Sequence, residues 1–324
     1  MRLIFAGSST FGLPSLQLLE RQNVPLLVIS PPDKAAGRNL RLQPCPVADY
    51  ARRVGLDLFQ PLDVNAPDSL SRIREFAPDL LITASYGGMI RRELRNLPRC
   101  GAVNLHPSLL PKYRGATPIQ SALLNGDTIT GVSIFRLNAR MDAGPILMQH
   151  QALIIRTDNF GSLHNRLANL SALMLQHLMP QLESGSCEAI AQDDSTASYT
   201  RKLGKEDLQL DWYKPANEVL NQIRAFSPQP GAQAWLREKP LKILAAQLVP
   251  EPASGEPGTV AALIRNTGVE VNCGVQRLLL TRVQAAGKKE MDAWPWQLGA
   301  RLSIGESLSR PPTFKPSNPL QEEE

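Results

Sequence analysis

The first half of the chain alternates short apolar runs with segments in which apolar residues recur every three or four positions. Short runs that end in glycine, proline or polar residues predict buried strands, whereas the longer period predicts amphipathic helices. The predicted strands are residues 3–6, 25–30, 58–60, 79–85, 102–106 and 131–138. The predicted helices are residues 14–20, 46–54, 65–76, 118–125 and 159–182. This alternation indicates an α/β fold with a doubly wound, mostly parallel sheet.

The pattern changes after residue 206. One helical segment, residues 215–226, precedes several short strands, which are residues 234–236, 241–248, 259–264, 269–273 and 277–283. Short strands separated by turn residues indicate a small β-barrel or sandwich. We therefore expect an N-terminal domain over residues 1–186 and a C-terminal domain over residues 207–308. The polar residues 187–206 are interpreted as a linker, and residues 309–324 as a disordered tail.

The amino-acid composition indicates how large a hydrophobic core the chain can form and shows that its net charge is positive. The 324 residues are 43% hydrophobic and 20% charged, with a formal net charge of +5. A chain of this length accommodates two domains, each with a hydrophobic core. The basic excess permits a polyanionic partner without requiring one.

The spacing of the cysteines indicates which cellular compartment the protein occupies. Cys45, Cys100, Cys187 and Cys273 are far apart, with no Cys-x-x-Cys pair and no clustered histidines, so we expect no metal site. Scattered thiols suit a reducing compartment. No apolar run approaches the ~18–20 residues of a membrane span, and the first run is too short for a signal peptide. We therefore expect a cytoplasmic protein.

A loop over residues 31–46 interrupts the pattern of strands and helices. It contains four prolines, one glycine and the cations Lys34, Arg38 and Arg41. A loop of this length has either a function or a purely solvated role. It is either a surface loop or an arm that contacts phosphates through these three cations.

Residues 101–120 contain the most chemically informative side chains. Asn104 and His106 are two positions apart in a predicted strand, so their side chains project from the same face. Pro107 should end the strand, which leaves both side chains at the carboxyl end, where open parallel sheets bind ligands. Asp142 follows the next predicted strand, and two neighbouring strand ends would bring its carboxylate to the imidazole.

These three side chains suit acyl transfer in which a substrate amine attacks directly. The amide of Asn104 would stabilise the developing oxyanion. His106 would donate to that oxyanion or exchange protons with the attacking and leaving nitrogens, while Asp142 orients the imidazole and favours its protonated form. Polar residues at strand ends are also common in proteins without this chemistry, so the spacing alone leaves a structural interpretation open.

Nucleotide-binding alternatives lack their motifs. The turn after the first strand carries Gly7 and Gly12, but it has neither a G-x-G-x-x-G fingerprint nor a terminal G-K-[ST]. Both glycines are interpreted as turn and packing residues. A nicotinamide oxidoreductase is therefore disfavoured.

Several motifs together resemble a known family. They are Asn104-Leu105-His106-Pro107-Ser108-Leu109-Leu110-Pro111, Arg114-Gly115-Ala116-x-Pro118-Ile119-Gln120, Gly131-Val132-Ser133 and Met141-Asp142-Ala143-Gly144. They are similar to those of the formyltransferase family that uses 10-formyltetrahydrofolate, and the resemblance extends from Arg2 to about Leu302. It implies a Rossmann-like catalytic domain followed by a β-barrel that resembles an OB-fold.

The resemblance also implies roles for particular residues. Asn104, His106 and Asp142 would be catalytic. The residues that would bind the folate are Tyr86, Gly87, Gly88, Met89, Ile90, Ser108, Leu109, Leu110, Pro111, Leu137, Asn138 and Met141. The residues that would bind tRNA are Lys34, Arg38, Arg41, Lys202, Lys205, Lys288 and Lys289. Gly88 is expected to loosen its turn, and Arg114 is either a substrate contact or a structural clamp.

The implied reaction transfers a formyl group to the amino group of methionine on initiator methionyl-tRNA, giving N-formylmethionyl-tRNA for translation initiation. The partners would be the acceptor stem of that tRNA and the tetrahydrofolate product, with the enzyme acting as a monomer without a metal. The alternative is formylation of a small amine, glycinamide ribonucleotide or an amino-sugar nucleotide. The basic loop and the basic barrel favour tRNA, since a small substrate needs neither. A tRNA-binding module on an inert scaffold would lack the catalytic trio.

Overall fold

The computed structural model describes residues 1–36 and 41–309, and they form two units. The first unit comprises Met1–Ala122, Asp127–Arg156 and Ser162–Lys202. The second comprises Leu123–Gly126, Thr157–Gly161 and the chain from Leu203 onwards. Arg38 lies outside the described residues, as do residues 310–324 of the tail predicted over residues 309–324.

A seven-stranded sheet forms the centre of the first unit. The strands up to residue 200 are β1 (Leu3–Gly7), β2 (Leu26–Ile29), β3 (Lys34–Ala36), β4 (Arg41–Gln43), β5 (Asp57–Phe59), β6 (Leu80–Ala84), β7 (Ala102–His106), β8 (Arg114–Gly115), β9 (Ile129–Arg136), β10 (Ile146–Leu153) and β11 (Tyr199–Thr200). The helices are α1 (Leu13–Glu20), α2 (Pro46–Val54), α3 (Pro67–Phe76), α4 (Arg92–Arg95), α5 (Pro118–Leu124) and α6 (Phe160–Ser184). Short 3₁₀ turns cover Thr10–Gly12 and Asp194–Thr196.

The strand order is β10-β9-β7-β6-β1-β2-β5. The five strands from β7 to β5 are parallel, and the chain winds outward in both directions from β1 and β6. Leu3, Ile4 and Phe5 of β1 have no exposed surface, as a central strand covered on both faces requires. The predicted doubly wound, mostly parallel sheet is confirmed.

Two features at one edge of the sheet differ from the prediction. β9 runs antiparallel to β7, with Val103 opposite Arg136 and His106 opposite Ser133. β10, which was not predicted, pairs antiparallel with β9. It was missed because its side chains are exposed or half-buried at the sheet edge, which leaves little apolar alternation.

The predicted loop over residues 31–46 also contains a short hairpin of β3 and β4.

The predicted linker over residues 187–206 requires a correction, because most of it belongs to the first unit. Ile190 pairs with Ile146, and β11 pairs in parallel with β8. We call residues 188–200 the strap. Its polar composition suggested a free connection, but its polar groups bind the folded chain instead.

The second unit contains a mainly antiparallel sheet. Its strands are β12 (Ala232–Leu236), β13 (Lys239–Pro252), β14 (Val260–Ile264), β15 (Gly268–Asn272), β16 (Gln276–Ala285) and β17 (Met291–Asp292). Its helices are α7 (Ala216–Phe226) and α8 (Ala293–Ala300), with a 3₁₀ turn at Glu206–Leu208. The core includes the buried side chains of Trp212, Phe226 and Trp296.

The sheet of the second unit is closed by an irregular segment. The strand path is β12-β13-β16-β15-β14, with β17 beside β16. The carbonyl of Leu308 accepts from the N–H of Trp235 on β12, while its own N–H donates to Gly258 beside β14. The N–H of Val260 on β14 donates to Glu306. These bonds connect the two outer strands, as the predicted barrel requires.

Candidate active site

The candidate site lies at the carboxyl end of β7, where the strand ends at His106 as predicted. Asn104 lies beside Thr83 of β6, and its Oδ1 accepts a hydrogen bond of 2.7 Å from the Thr83 hydroxyl. A side-chain amide has one acceptor oxygen and two N–H donors. Because Thr83 holds the oxygen, the Asn104 amide nitrogen is left to donate to another group.

The imidazole of His106 is held on one side by the backbone. Its Nε2 lies 2.9 Å from the carbonyl oxygen of Tyr113, and only 4% of the residue is exposed. A carbonyl oxygen only accepts, so Nε2 carries the proton in this bond. The nitrogen left for chemistry is therefore Nδ1.

Asp142 faces that free nitrogen. Its Oδ2 lies 3.7 Å from Nδ1 of His106 and accepts a 2.8 Å hydrogen bond from the N–H of Gly115. The proximity of Asp142 to His106 was predicted from the sequence, but the predicted reason, two neighbouring strand ends, is wrong. Because β9 is antiparallel to β7, its last residue pairs at the amino end of β7, and the loop after Leu137 brings Asp142 back to the carboxyl end.

A buried arginine connects the strap to this site. Arg114 has no exposed surface, and its guanidinium donates to Gln192 and to Asp194 at 2.8 Å each and to the Tyr199 hydroxyl at 3.1 Å. Burial disfavours its charged form, but the bonds to Asp194 and Tyr199 outweigh this effect and raise the pKa of Arg114. Hydrogen bonds from Arg140 and Arg114 lower the pKa of Asp194. Both groups are therefore charged at neutral pH.

The predicted folate-binding turn, Tyr86 to Ile90, follows β6 and is held in place. Asn65 donates to the carbonyl of Met89, and its own oxygen accepts from the N–H of Arg91. A Cβ at Gly88 would lie 2.6 Å from the Tyr86 ring, so glycine allows the ring to pack against the turn. The turn is not loosened by Gly88 as the sequence suggested. Burial, with a smaller effect of Asp63, raises the pKa of Tyr86.

The other predicted folate residues divide into accessible and buried groups. Tyr86, Ile90 and Leu137 pack against the same hydrophobic cluster. Met89 and Met141 are 75% and 61% exposed. Leu109, Pro111 and Asn138 are half-buried, and Gly87 is exposed. The side chains of Ser108 and Leu110 are buried, and Ser108 bonds to the carbonyl of Lys112, so neither side chain lines an open surface.

The predicted tRNA-binding cations are divided between the two units of the chain. Lys34 is exposed on β3, Arg41 lies in β4, and Lys202 and Lys205 are exposed. Lys288 and Lys289 line a hollow of about 760 Å³ in the second unit, together with Leu236, Met291 and Trp296. The root of the Lys34 loop is held by Asp33, whose carboxylate accepts from Arg52 at 2.8 Å and from Gln60 at 2.9 Å.

Sequence reasoning missed Thr83, Gly115, Gln192 and Asp194 as neighbours of the site. Only Gly115 lay in a noticed motif, whereas the others carry no local signal. Within residues 1–36 and 41–309, no group of three or more His, Cys, Asp or Glu side chains could hold a metal ion. No helix in that part of the chain is long and apolar enough to cross a membrane.

The fold and site define a class of protein, an α/β enzyme with an amide, an imidazole and a carboxylate at the carboxyl edge of its parallel strands. Residues 1–178 match the family model described as formyl transferase, and residues 202–301 match the formyl transferase C-terminal domain. The chain belongs to the formyl transferase family.

Individual relatives agree with this assignment. The chain is 39% identical to a methionyl-tRNA formyltransferase of Trichlorobacter lovleyi over 95% of this chain and 96% of that protein. It is 40% identical to one of Halorhodospira halophila over 95% and 99%. A crystal structure of HypX from Aquifex aeolicus with tetrahydrofolic acid has the same fold, with a TM-score of 0.65 and 18% identity. That match covers 98% of this chain, which spans about half the length of the HypX chain.

Proposed function

We propose that the chain transfers the formyl group of 10-formyltetrahydrofolate to the amino group of methionine on initiator methionyl-tRNA. The observation that supports this most directly is the convergence of Asn104, His106 and Asp142 at the carboxyl end of β7. Relatives of nearly full length carry the name of this activity. The enzyme would work as a cytoplasmic monomer without a metal.

In this proposal each side chain of the trio has one task. The methionyl amine attacks the formyl carbon, and the Asn104 amide N–H donates to the oxygen that becomes negative. His106 accepts the proton of the attacking amine at Nδ1 and passes it to the folate nitrogen that leaves. Asp142, 3.7 Å away, stabilises the imidazolium in the interval. The bond to methionine forms first and gives the oxyanion, and the C–N bond to folate then breaks as the carbonyl re-forms, so one proton passes from the attacking nitrogen to the leaving nitrogen.

The folate would bind beside the trio, against the turn from Tyr86 to Ile90 and the loop from Leu137 to Met141. The fit is supported by apolar side chains on both segments, because Tyr86, Ile90 and Leu137 are partly buried and each packs against the same hydrophobic cluster. A pteridine ring has apolar faces and a polar edge, which suits an apolar wall lined by backbone groups. Leu109 and Pro111 would also contact it, whereas the buried side chains of Ser108 and Leu110 would support the loop from below.

The tRNA would be bound by cations through its phosphates. We assign Lys34, Arg38 and Arg41 to the acceptor stem, and Lys202, Lys205, Lys288 and Lys289 to other phosphates. Among these, Lys288 and Lys289 border a hollow with an apolar floor, which suits a ribose or base beside a phosphate.

A parallel assay tests this proposal. The enzyme is given 10-formyltetrahydrofolate with charged initiator tRNA, glycinamide ribonucleotide or an amino-sugar nucleotide, and the formylated product is measured. Only methionyl-tRNA should be formylated, and Asn104→Ala should lower kcat by about 100- to 1,000-fold. Formylation of either small amine at a comparable kcat/KM would contradict the assigned substrate. Wild-type activity in a folded Asn104→Ala variant would contradict the assigned trio.

A further inference from the structure

The side chain of Gln192, on the strap, has all of its strong hydrogen-bonding groups engaged by protein. Its Nε2 donates to the carbonyl oxygens of Asp142 at 2.9 Å and Gly144 at 2.7 Å. Its Oε1 accepts from Nε and Nη2 of Arg114 at 3.1 and 2.8 Å. Carbonyls only accept and a guanidinium only donates, so this orientation of the amide is the one that satisfies all four bonds. Gln192 therefore has a holding role, with no group left for a substrate.

The turn that Gln192 holds, residues 142–144, has an unfavourable backbone conformation. Asp142 has φ of 49°, in the left-handed region that residues with a side chain seldom adopt. At Gly144, a Cβ would lie 1.7 Å from the carbonyl oxygen of Arg136. Local preferences do not favour this conformation, so contacts from elsewhere must maintain it. The two donors of Gln192 act on the carbonyls of the first and third residues of the turn.

Gln192 is itself held by a buried arginine. Arg114 is completely buried and binds three strap residues through one planar guanidinium, namely Gln192, Asp194 and Tyr199. The residue after Arg114 is Gly115, whose N–H donates to the Asp142 carboxylate. Arg114 thus fixes both the strap and the chain beside the carboxylate. This geometry favours the structural clamp over a substrate contact for Arg114.

We propose that Gln192 is a positioning residue that holds the 142–144 turn so that the Asp142 carboxylate faces Nδ1 of His106 during formyl transfer. This inference rests on the proposed function of Asp142. Gln192 would contribute through the position of that carboxylate and not by binding either substrate.

The test compares Gln192→Glu with wild type. Glutamate keeps the contact with Arg114 but turns a carboxylate oxygen toward two carbonyls, so the strap stays bound while the turn loses its donors. We expect kcat for methionyl-tRNA to fall by about 10- to 100-fold, with both KM values changed by less than about 2-fold. Gln151→Glu, on exposed β10, is the matched control for the charge change and should retain wild-type kcat. Gln192→Leu, the second variant, removes both donors and also the acceptor for Arg114, so kcat should fall at least as far.

A double-mutant cycle separates positioning from general destabilisation. If Gln192 acts through Asp142, adding Gln192→Glu to Asp142→Asn should lower kcat by less than about 3-fold further. Equal losses in both backgrounds, wild-type kcat in Gln192→Glu, or unfolding of both Gln192 variants by circular dichroism would overturn the inference. Asp142→Asn with wild-type kcat would overturn the proposed role of Asp142 itself. A deficient Asp142→Asn beside an active Gln192→Glu would remove only the role of Gln192.

Discussion

Two side chains of the site, Asn104 and His106, are oriented by hydrogen bonds with neighbours that lie outside any recognised motif. The Thr83 hydroxyl binds the oxygen of the Asn104 amide, and the Tyr113 carbonyl binds Nε2 of His106. These contacts decide which atom of each side chain is free for a substrate. The residue types and their shared face could be predicted from the sequence, but which atoms are free depends on contacts from a neighbouring strand and a loop.

Replacing Thr83 with valine should therefore impair catalysis while Asn104, His106 and Asp142 all remain in the site. The change keeps the shape but removes the hydroxyl, so the Asn104 amide can rotate and present its oxygen to the substrate. We expect kcat to fall on the order of 10-fold, less than the loss of the whole donor. The free energy of unfolding should fall by about 1 kcal/mol for the lost hydrogen bond.

Thr130 of β9 provides a matched control for Thr83. It is a buried threonine of the same sheet, and its hydroxyl has no hydrogen-bond partner among residues 1–36 and 41–309. Thr130→Val should leave kcat unchanged and keep or raise stability, because it removes an unsatisfied polar group. Steady-state kinetics and urea unfolding measure both effects. A Thr83→Val enzyme as active as Thr130→Val would show that Thr83 does not orient the amide.

We expect His164 to make the stability of the protein depend on pH. Burial lowers its pKa below the ordinary value of 6.5, with an opposing effect from Asn165. The unfolded chain therefore takes up this proton at a higher pH than the folded chain does. Folding stability contributed by the neutral imidazole is present above the unfolded pKa and is lost as pH falls toward the folded pKa.

His164→Gln should consequently reduce the loss of unfolding free energy between about pH 7.5 and pH 5. His177→Gln is the control, since His177 lies exposed on the same helix, α6. Urea unfolding at several pH values gives the comparison. If wild type and His164→Gln lose stability in parallel over this range, burial of His164 is not the source of the pH dependence.

At the scale of elements, prediction succeeded where residues within or next to the element determine where it begins and ends. The limits of α2, Pro46–Val54, were predicted correctly because proline begins the helix and Gly55, at φ of 75°, ends it. β7 was also correct, because proline follows its last residue. The direction of β9 and the docking of the strap depend on partners far away in sequence. Arg114 and Asp194, for example, are 80 positions apart, and no periodicity encodes such a contact.

Asp33, at the start of the loop after β2, is also held by a residue distant in sequence. Arg52 on α2 donates to Asp33 through both terminal nitrogens, at 2.8 and 3.1 Å. Arg52→Gln should free the root of the loop, so more conformational entropy is lost when tRNA binds. We expect KM for methionyl-tRNA to rise about 3- to 10-fold while KM for 10-formyltetrahydrofolate is unchanged.

Arg53→Gln removes the same charge from the same helix and controls for electrostatics. Arg53 packs over the ring of Tyr50 rather than binding Asp33. Initial-rate kinetics with each substrate varied in turn distinguish the two variants. Equal effects of both substitutions on KM for methionyl-tRNA would assign the effect to charge alone and not to the held loop.

At the scale of the whole molecule, the formal charge of +5 is too small to identify a nucleic-acid partner by itself. What distinguishes the chain is where its cations are. Lys288 and Lys289 border an apolar hollow, whereas Arg282 nearby is engaged by Glu290 and Asp292. Cations held beside apolar surface are better placed to contact a phosphate backbone than cations already paired with carboxylates.

Salt dependence tests this distribution of charge. If several phosphates are contacted, kcat/KM for methionyl-tRNA should fall as salt rises, because bound cations displace counterions from the tRNA. Lys288→Ala combined with Lys289→Ala should make the slope of log kcat/KM against log salt shallower by about 2, one for each lost contact. Lys214→Ala with Arg265→Ala removes the same charge from elsewhere in the second unit and should leave the slope unchanged. Equal slopes for the two double variants would mean that overall charge, and not the Lys288–Lys289 surface, attracts the tRNA.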